Sequence, residues 1–190
     1  MATKYIVNNL SGQTINDQQL LPYKVYTALL TQSGGDDIQQ LIGTNLTIGV
    51  TYRIIYDGPI VGDFINVGSP NNNDDTMFVA TGTIPTSWGD CKLEYNTGAP
   101  VVTVLENTIG NIWFTYDGVG FYLSNSNGLF TQGKTALFIG SSFDGDTVGT
   151  NFAFFRQIDG EQLGIATKDN TLADGDGFLY NTPIEIRVYN

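Results

Sequence analysis

A chain of 190 residues that is 41% hydrophobic can bury a core of its own, which argues against intrinsic disorder. Its formal net charge of −11 creates a field that repels phosphate backbones and anionic headgroups, so neither nucleic acid nor a membrane surface is an expected partner. Histidine is absent and Cys91 is the single cysteine, which removes Ser-His-Asp and Cys-His nucleophilic sites, ordinary zinc catalysis and any intrachain disulfide. No segment approaches a membrane span. The opening MATKYIVNNLSGQ lacks the long apolar stretch of a secretory signal, so export by that route is not expected.

Along the chain, residues 11–22 (SGQTINDQQLLP) are polar and read as a loop or a short helical turn. YKVYTALLTQSG at 23–34 predicts a long strand that ends in a glycine turn, while 33–47 mixes turn formers with one short apolar run and fits neither element. Further strands are predicted at 53–56 (RIIY), 76–81 (TMFVAT), 101–106 (VVTVLE), 111–116 (NIWFTY), 120–124 (GFYLS), 135–140 (TALFIG), 151–158 (NFAFFRQI) and 184–189 (IEIRVY). Between them fall Asp-Gly pairs beginning at Asp57, Asp117, Asp144, Asp159, Asp174 and Asp176, and the pair Asn127-Gly128; such pairs tolerate the positive φ of tight hairpins. Ile184, Ile186 and Val188 alternate with Glu185, Arg187 and Tyr189, the pattern of a strand with one buried face. Val101–Leu105 is apolar on both faces, as expected of a strand held between packed sheets. The class is all-β: an antiparallel β-sandwich, jelly-roll-like or similar, carrying a small inserted β module.

The insertion follows from one pairing. TGAPVVTVLENT at 97–108, opened by Gly98 and Pro100, reads as the antiparallel partner of the strand at 23–34. Residues 1–33 and 97–190 then form the main sandwich and 34–96 the insert. TGTIPTSWGD at 81–90 is built of turn formers yet holds Trp88, which is expected to anchor that irregular loop on a core containing Phe64 and Phe78, with Tyr52, Ile54 and Leu93 beside them. The insert is expected to make few contacts with the last ninety residues.

At these residues the chain resembles known material. YKVYTALLTQSG followed by TGAPVVTVLENTIGNIWFTY resembles paired segments of structural proteins of tailed bacteriophages, where the two are often joined directly as a hairpin. GVTYRIIYDGPIVGDFINVGSPNNNDDTMFVATGTIPTSWGD resembles a second phage module, of the form GDDFTNVGA…FTATGTTPTTW. Gly62, Asp63, Phe64, Asn66, Val67 and Gly68 match its first half, and Phe78, Ala80, Thr81, Gly82, Thr83, Pro85 and Trp88 its second. The turn SPNNNDD at 69–75 is longer than in the usual form, and LYNTPIEIRVYN is similar to the closing strand of such proteins. The resemblance implies a non-enzymatic virion component: a capsid-decorating auxiliary or head-fibre protein, located in the virion, that contacts other virion proteins of capsid or tail and assembles as a homo-oligomer, with a homotrimer expected. A tail fibre or receptor-binding protein for host glycan is the second reading, and a glycan-cleaving depolymerase the third.

The residues offer little chemistry for the third reading. Carboxylate pairs are the remaining acid/base machinery, and nothing in the spacing of Glu94, Glu106, Glu161 and Glu185 selects a pair. No catalytic residue is named and no cofactor is expected. DGDTVG at 144–149 has Val148 and Phe155, and DGDG at 174–177 has similar gaps, where a calcium loop needs oxygen ligands, although Glu185 falls at the twelfth place of the latter; no metal is expected. Tyr116, Phe121 and Tyr122, around the Asp117-Gly118 turn, form a candidate interface, and Phe152, Phe154 and Phe155 a second aromatic group; for strands this aromatic, core or subunit contact outranks ligand binding.

Overall fold

The computed structural model of the chain describes residues 22–141 and 151–190, together with the backbone of two short paired strands, β1 (Val7–Asn8) and β2 (Thr14–Ile15). The Asp144-Gly145 pair, the DGDTVG stretch and most of residues 11–22 lie outside the described residues.

The described fold is all-β, with three four-stranded antiparallel sheets and one short 3-10 turn at Ile65–Val67. The first sheet has the order β11 (Thr135–Ile139), β14 (Thr182–Tyr189), β3 (Tyr23–Thr31), β8 (Val101–Asn107). The second has the order β12 (Phe152–Gln157), β13 (Gln162–Lys168), β10 (Phe121–Ser126), β9 (Ile112–Gly118). These two face each other as a sandwich. Tyr26, Ala28, Leu30, Ile184 and Ile186 from one side meet Ile112, Phe114, Tyr122, Leu163 and Ile165 from the other in a single buried cluster. The alternation of β14 falls as expected: Ile184, Ile186 and Val188 are buried and Glu185, Arg187 and Tyr189 point away.

The third sheet, β4 (Ile38–Leu41), β7 (Cys91–Asn96), β5 (Thr51–Tyr56), β6 (Met77–Val79), comes wholly from the chain between β3 and β8. Those two strands pair with Thr31 opposite Val101, so the ends of the intervening segment are neighbours. At the junction the Thr97 N–H donates to the Asp37 carbonyl at 3.0 Å and the Asp37 N–H to Thr97 Oγ1 at 3.1 Å. A Cβ on Gly98 would stand 2.0 Å from the Gly35 carbonyl oxygen, so only glycine lets the two strands of the junction come this close.

The third sheet has its own core. Phe64 and Phe78 are fully buried 6.5 Å apart, together with Tyr52, Ile54 and Leu93. Trp88 stands edge-on to Phe64, ring centroids 5.6 Å apart and planes at 88°, but the indole is half-buried at the margin of this core. The irregular loop is therefore pinned by an aromatic edge contact and not by a sealed anchor.

Several expectations are corrected. Val101–Leu105 is no central strand: β8 is the edge of its sheet, Val102 is its one buried residue, and Leu105, 62% exposed, is the extra residue of a bulge opposite Thr27/Ala28. Such a bulge twists an edge away from further pairing. The insert, expected to make few contacts with the last ninety residues, makes a small set of them around β9 and β8. Val79 belongs to the sandwich core, the Phe114 N–H donates to Thr51 Oγ1 at 3.2 Å, and the Val102 N–H donates to the Gly49 carbonyl at 2.9 Å. The third sheet thus docks along β9 and caps part of the β8 edge. Finally, the Asp-Gly pairs do not act mainly through positive φ. Among those described, only Gly177 is left-handed, whereas Asp159 Oδ1 accepts the N–H groups of Glu161 and Gln162 to close the β12–β13 hairpin.

Two measurements follow. Phe64→Ala is expected to cost about 3–5 kcal/mol in urea unfolding and Trp88→Ala only about 2 kcal/mol, because the transfer and cavity terms scale with what is buried; equal losses would contradict this hierarchy. We further propose that the sandwich stands without residues 34–96. Replacing 35–96 by an Asn-Gly turn is expected to leave a strand-dominated circular dichroism spectrum and cooperative unfolding at reduced stability, and loss of cooperative unfolding would show the insert to be integral.

Candidate interaction surface

Alternation along β9, β10, β13 and β12 divides their aromatic residues between two faces. Register places Phe154, Ala166 and Phe121 in one row across the second sheet, and Arg156, Gly164, Leu123 and Thr115 in the next. These residues turn away from the sandwich core. Phe152 and Phe154 are 45% and 49% exposed, and Ile158, just beyond β12, is 42% exposed. Gly164 makes the floor: a Cβ there would lie 3.1 Å from the Phe121 ring and 3.3 Å from Ile158, so both side chains lie flat across it.

Arg156 crosses this surface with its guanidinium carbon 5.8 Å from the Phe121 ring centroid, a cation–π contact. Among the described residues it has no carboxylate partner, in a chain of net charge −11. A polar row closes one end of the face. Gln162 Nε2 donates to Asn125 Oδ1 at 3.1 Å, and Asn125 Nδ2 donates to Thr115 Oγ1 at 3.0 Å. An exposed set of phenylalanines around an unpaired arginine has the composition of a protein–protein contact centre.

The structure separates the sequence-derived candidates. Phe121, Phe152 and Phe154 share the outer face. Phe155 turns inward against the core. Tyr122 is a correction: it is 0% exposed and cannot serve as an interface residue, because its position opposite Tyr116 and Ile165 points it into the sandwich. Tyr116, on the same inward face, is half-buried, its ring 5.9 Å from that of Tyr122.

These two tyrosines belong to a polar junction that the sequence did not reveal. Asp176 Oδ1 accepts the Tyr122 hydroxyl at 2.9 Å and the Gly120 N–H at 2.8 Å, while Asp176 Oδ2 accepts the Tyr116 hydroxyl at 3.0 Å. Gln32, buried just beyond the end of β3, receives the Gly177 N–H on Oε1 at 2.5 Å, and the Tyr122 oxygen lies 3.0 Å from the same atom. Gln32 Nε2 is buried without a partner. The network ties the loop around residues 174–177 to the point where the chain leaves the sandwich for the third sheet. Burial, reinforced by the Asp176 carboxylate, drives the Tyr122 phenol far above its ordinary value, and burial alone does the same for Tyr26. The one signal in the sequence was the pair of Asp-Gly steps at 174–177, which read equally well as turns.

Three further acids are held in ion pairs. Glu94 pairs with Arg53 on the third sheet at 2.5 Å, Glu185 pairs with Arg187 on the outer face of the first sheet, and Asp174 pairs with Lys168 at 2.5 Å. Among the described residues no three His, Cys, Asp or Glu side chains converge. No protein family, curated protein or solved structure matches the chain.

The junction has a pH signature. Tyr122 and Tyr26 hold their protons in the folded protein where the tyrosines of the unfolded chain, with pKa about 10, have begun to lose theirs. The unfolded state then binds fewer protons, so the contribution is complete below pH about 10 and is lost progressively as pH rises beyond it. Urea midpoints measured from pH 8 to 11 are expected to fall at the alkaline end. Tyr122→Phe is expected to cost about 1–3 kcal/mol at pH 8, by stripping the Asp176 carboxylate of a buried donor, and to flatten the alkaline fall; an unchanged slope would exclude Tyr122 as its source.

Proposed function

We propose that this chain is a non-enzymatic structural component of a tailed-phage virion, a capsid-decorating auxiliary or head-fibre protein that works through protein–protein contacts. The resemblance of residues 23–34, 49–90 and 97–116 to phage structural segments supports the class of protein. The observation that carries the mode of action is the outer face of the second sheet, where Phe121, Phe152 and Phe154 share a face with Arg156, which has no carboxylate partner among the described residues. A partner offering an apolar patch edged by a carboxylate would bury the rings and pair the arginine together, and a desolvated charge pair of this kind favours the right partner strongly over wrong ones. We take the assembled form to be a homotrimer on the virion surface, with capsid or tail proteins as its neighbours.

The double variant Phe154→Glu, Arg156→Glu tests this reading. Both side chains face outward, so the purified variant is expected to keep the circular dichroism spectrum of the parent and a melting temperature within a few degrees of it. Its copy number in purified particles, read by quantitative mass spectrometry against the major capsid protein, is expected to fall at least tenfold. Undiminished incorporation would rule out this face as the contact. Absence of the parent chain from purified particles, or release of oligosaccharide from host surface polysaccharide by the purified protein, would overturn the virion reading itself.

A further inference from the structure

A second feature lies apart from the aromatic face, where the third sheet meets the sandwich. The asparagine-rich turn of the insert and the start of β9 enclose a cleft of about 320 Å³, lined by Asn73, Asp74 and Asp75 on one wall and Asn111, Trp113 and Asn127 on the other. This volume falls within the range of small-ligand clefts, about 300–1,000 Å³.

The cleft is shaped by bonds that use some of its lining groups and leave others free. Asn71 Oδ1 accepts the Asn73 N–H at 2.9 Å and the Thr76 hydroxyl at 2.6 Å, which shapes the turn. Asp74 Oδ1 accepts the Tyr56 N–H at 2.9 Å, and the Asp75 N–H donates to the Ile54 carbonyl at 2.9 Å, which fasten the turn to β5. Asn111 Nδ2 donates to the Met77 carbonyl at 2.9 Å and joins the two walls. After these bonds the Asn73 and Asn127 amides, the second oxygen of Asp74 and the indole N–H of Trp113 have no partner among the described residues. The half-buried Trp113 adds a flat apolar ring to the set.

We infer that this cleft binds an uncharged saccharide. A pyranose offers one apolar C–H face, which suits the indole, and a ring of hydroxyls that both donate and accept, which suits amides and carboxylates together. The competing ligands fit worse. The net charge and the two aspartates repel phosphates and acidic sugars, and a cation would find only two carboxylates, one of them already 3.5 Å from Arg53. Asparagines in a turn are commonplace and alone would carry nothing. Here they are set opposite a tryptophan across a preformed gap, so ligand ordering is not needed to build the site.

The chain has only two tryptophans, which supplies the assay. In a Trp88→Phe variant, Trp113 is the sole indole. This protein is titrated with trisaccharides of glucose, mannose, galactose and N-acetylglucosamine, beside sialyllactose and trigalacturonate as anionic counterparts, followed by Trp113 emission and by calorimetry. At least one neutral trisaccharide is expected to give saturable binding with Kd on the order of 1 mM or tighter, and the anionic sugars none. Asn73→Ala, on the exposed turn, is expected to weaken binding about tenfold, and Trp113→Ala, read by calorimetry in the otherwise unaltered chain, to abolish it. The inference is overturned if no neutral trisaccharide binds, if an anionic one binds as well, or if binding is untouched by Asn73→Ala. Purified protein alone is used, so a negative result removes the cleft and leaves the virion reading as it stands.

Discussion

The pairing of β3 with β8 is the constraint on which the rest of the molecule depends. Thr31 lies opposite Val101, and everything from residue 32 to residue 100 must leave the sandwich and return to the same point. The entropic penalty of such a detour grows only logarithmically with length, so a loop of about 60 residues costs only about 2–3 kcal/mol more than a tight turn. What the detour needs is a secure mouth. Gly98 supplies the close approach, Thr97 and Asp37 exchange hydrogen bonds, and the Gln32, Tyr122 and Asp176 network clamps the exit from inside. The network's bonds to Asp176 and Gln32 Oε1 hold the loop around residues 174–177 to a narrow geometry, although Gln32 Nε2 stays buried without a partner.

With that mouth in place, the docking of the third sheet follows. Thr51 and Val79 reach β9, Gly49 covers the β8 edge at Val102, and the asparagine-rich turn is carried to the side of Trp113. The cleft therefore belongs to neither unit alone. The part of the β8 edge beyond Gly49 is blunted by the bulge at Leu105, which discourages sheet-to-sheet addition where apolar residues lie on an edge.

The aromatic face depends on a different rule. Side chains alternate strictly in a strand, so a slip of one residue in β10 would put Tyr122 in water and Phe121 in the core, and one in β12 would exchange Phe154 and Phe155. The register that buries Tyr122 and Ile165 necessarily leaves Phe121, Phe154 and Arg156 outside. The apolar content of that outer face is thus more than the core requires, and the interaction proposed for it accounts for the excess.

Much of this was legible in the residues. The all-β class, most strands, the partnership of β3 with β8 and the burial of Phe64 and Phe78 follow from period-2 patterns and turn chemistry, which are local. β13 was not legible, because its outward positions Gly164 and Ala166 are small so that Phe121 and Ile158 can lie over Gly164, and small residues read as loop. β7 carries little strand signal, because Cys91 and Leu93 alternate with charged Lys92 and Glu94 over too short a span. By itself the sequence determined which residues alternate and where the chain can turn, since those depend on each residue and its near neighbours. Only the tertiary structure decided that Val101–Leu105 is an edge, that Tyr122 is buried while Phe154 is not, that Trp88 is merely marginal, and that Asp176 meets Gln32 across the chain. Those outcomes depend on which strand lies beside which, and a strand's own pattern is the same whether it has one neighbour or two.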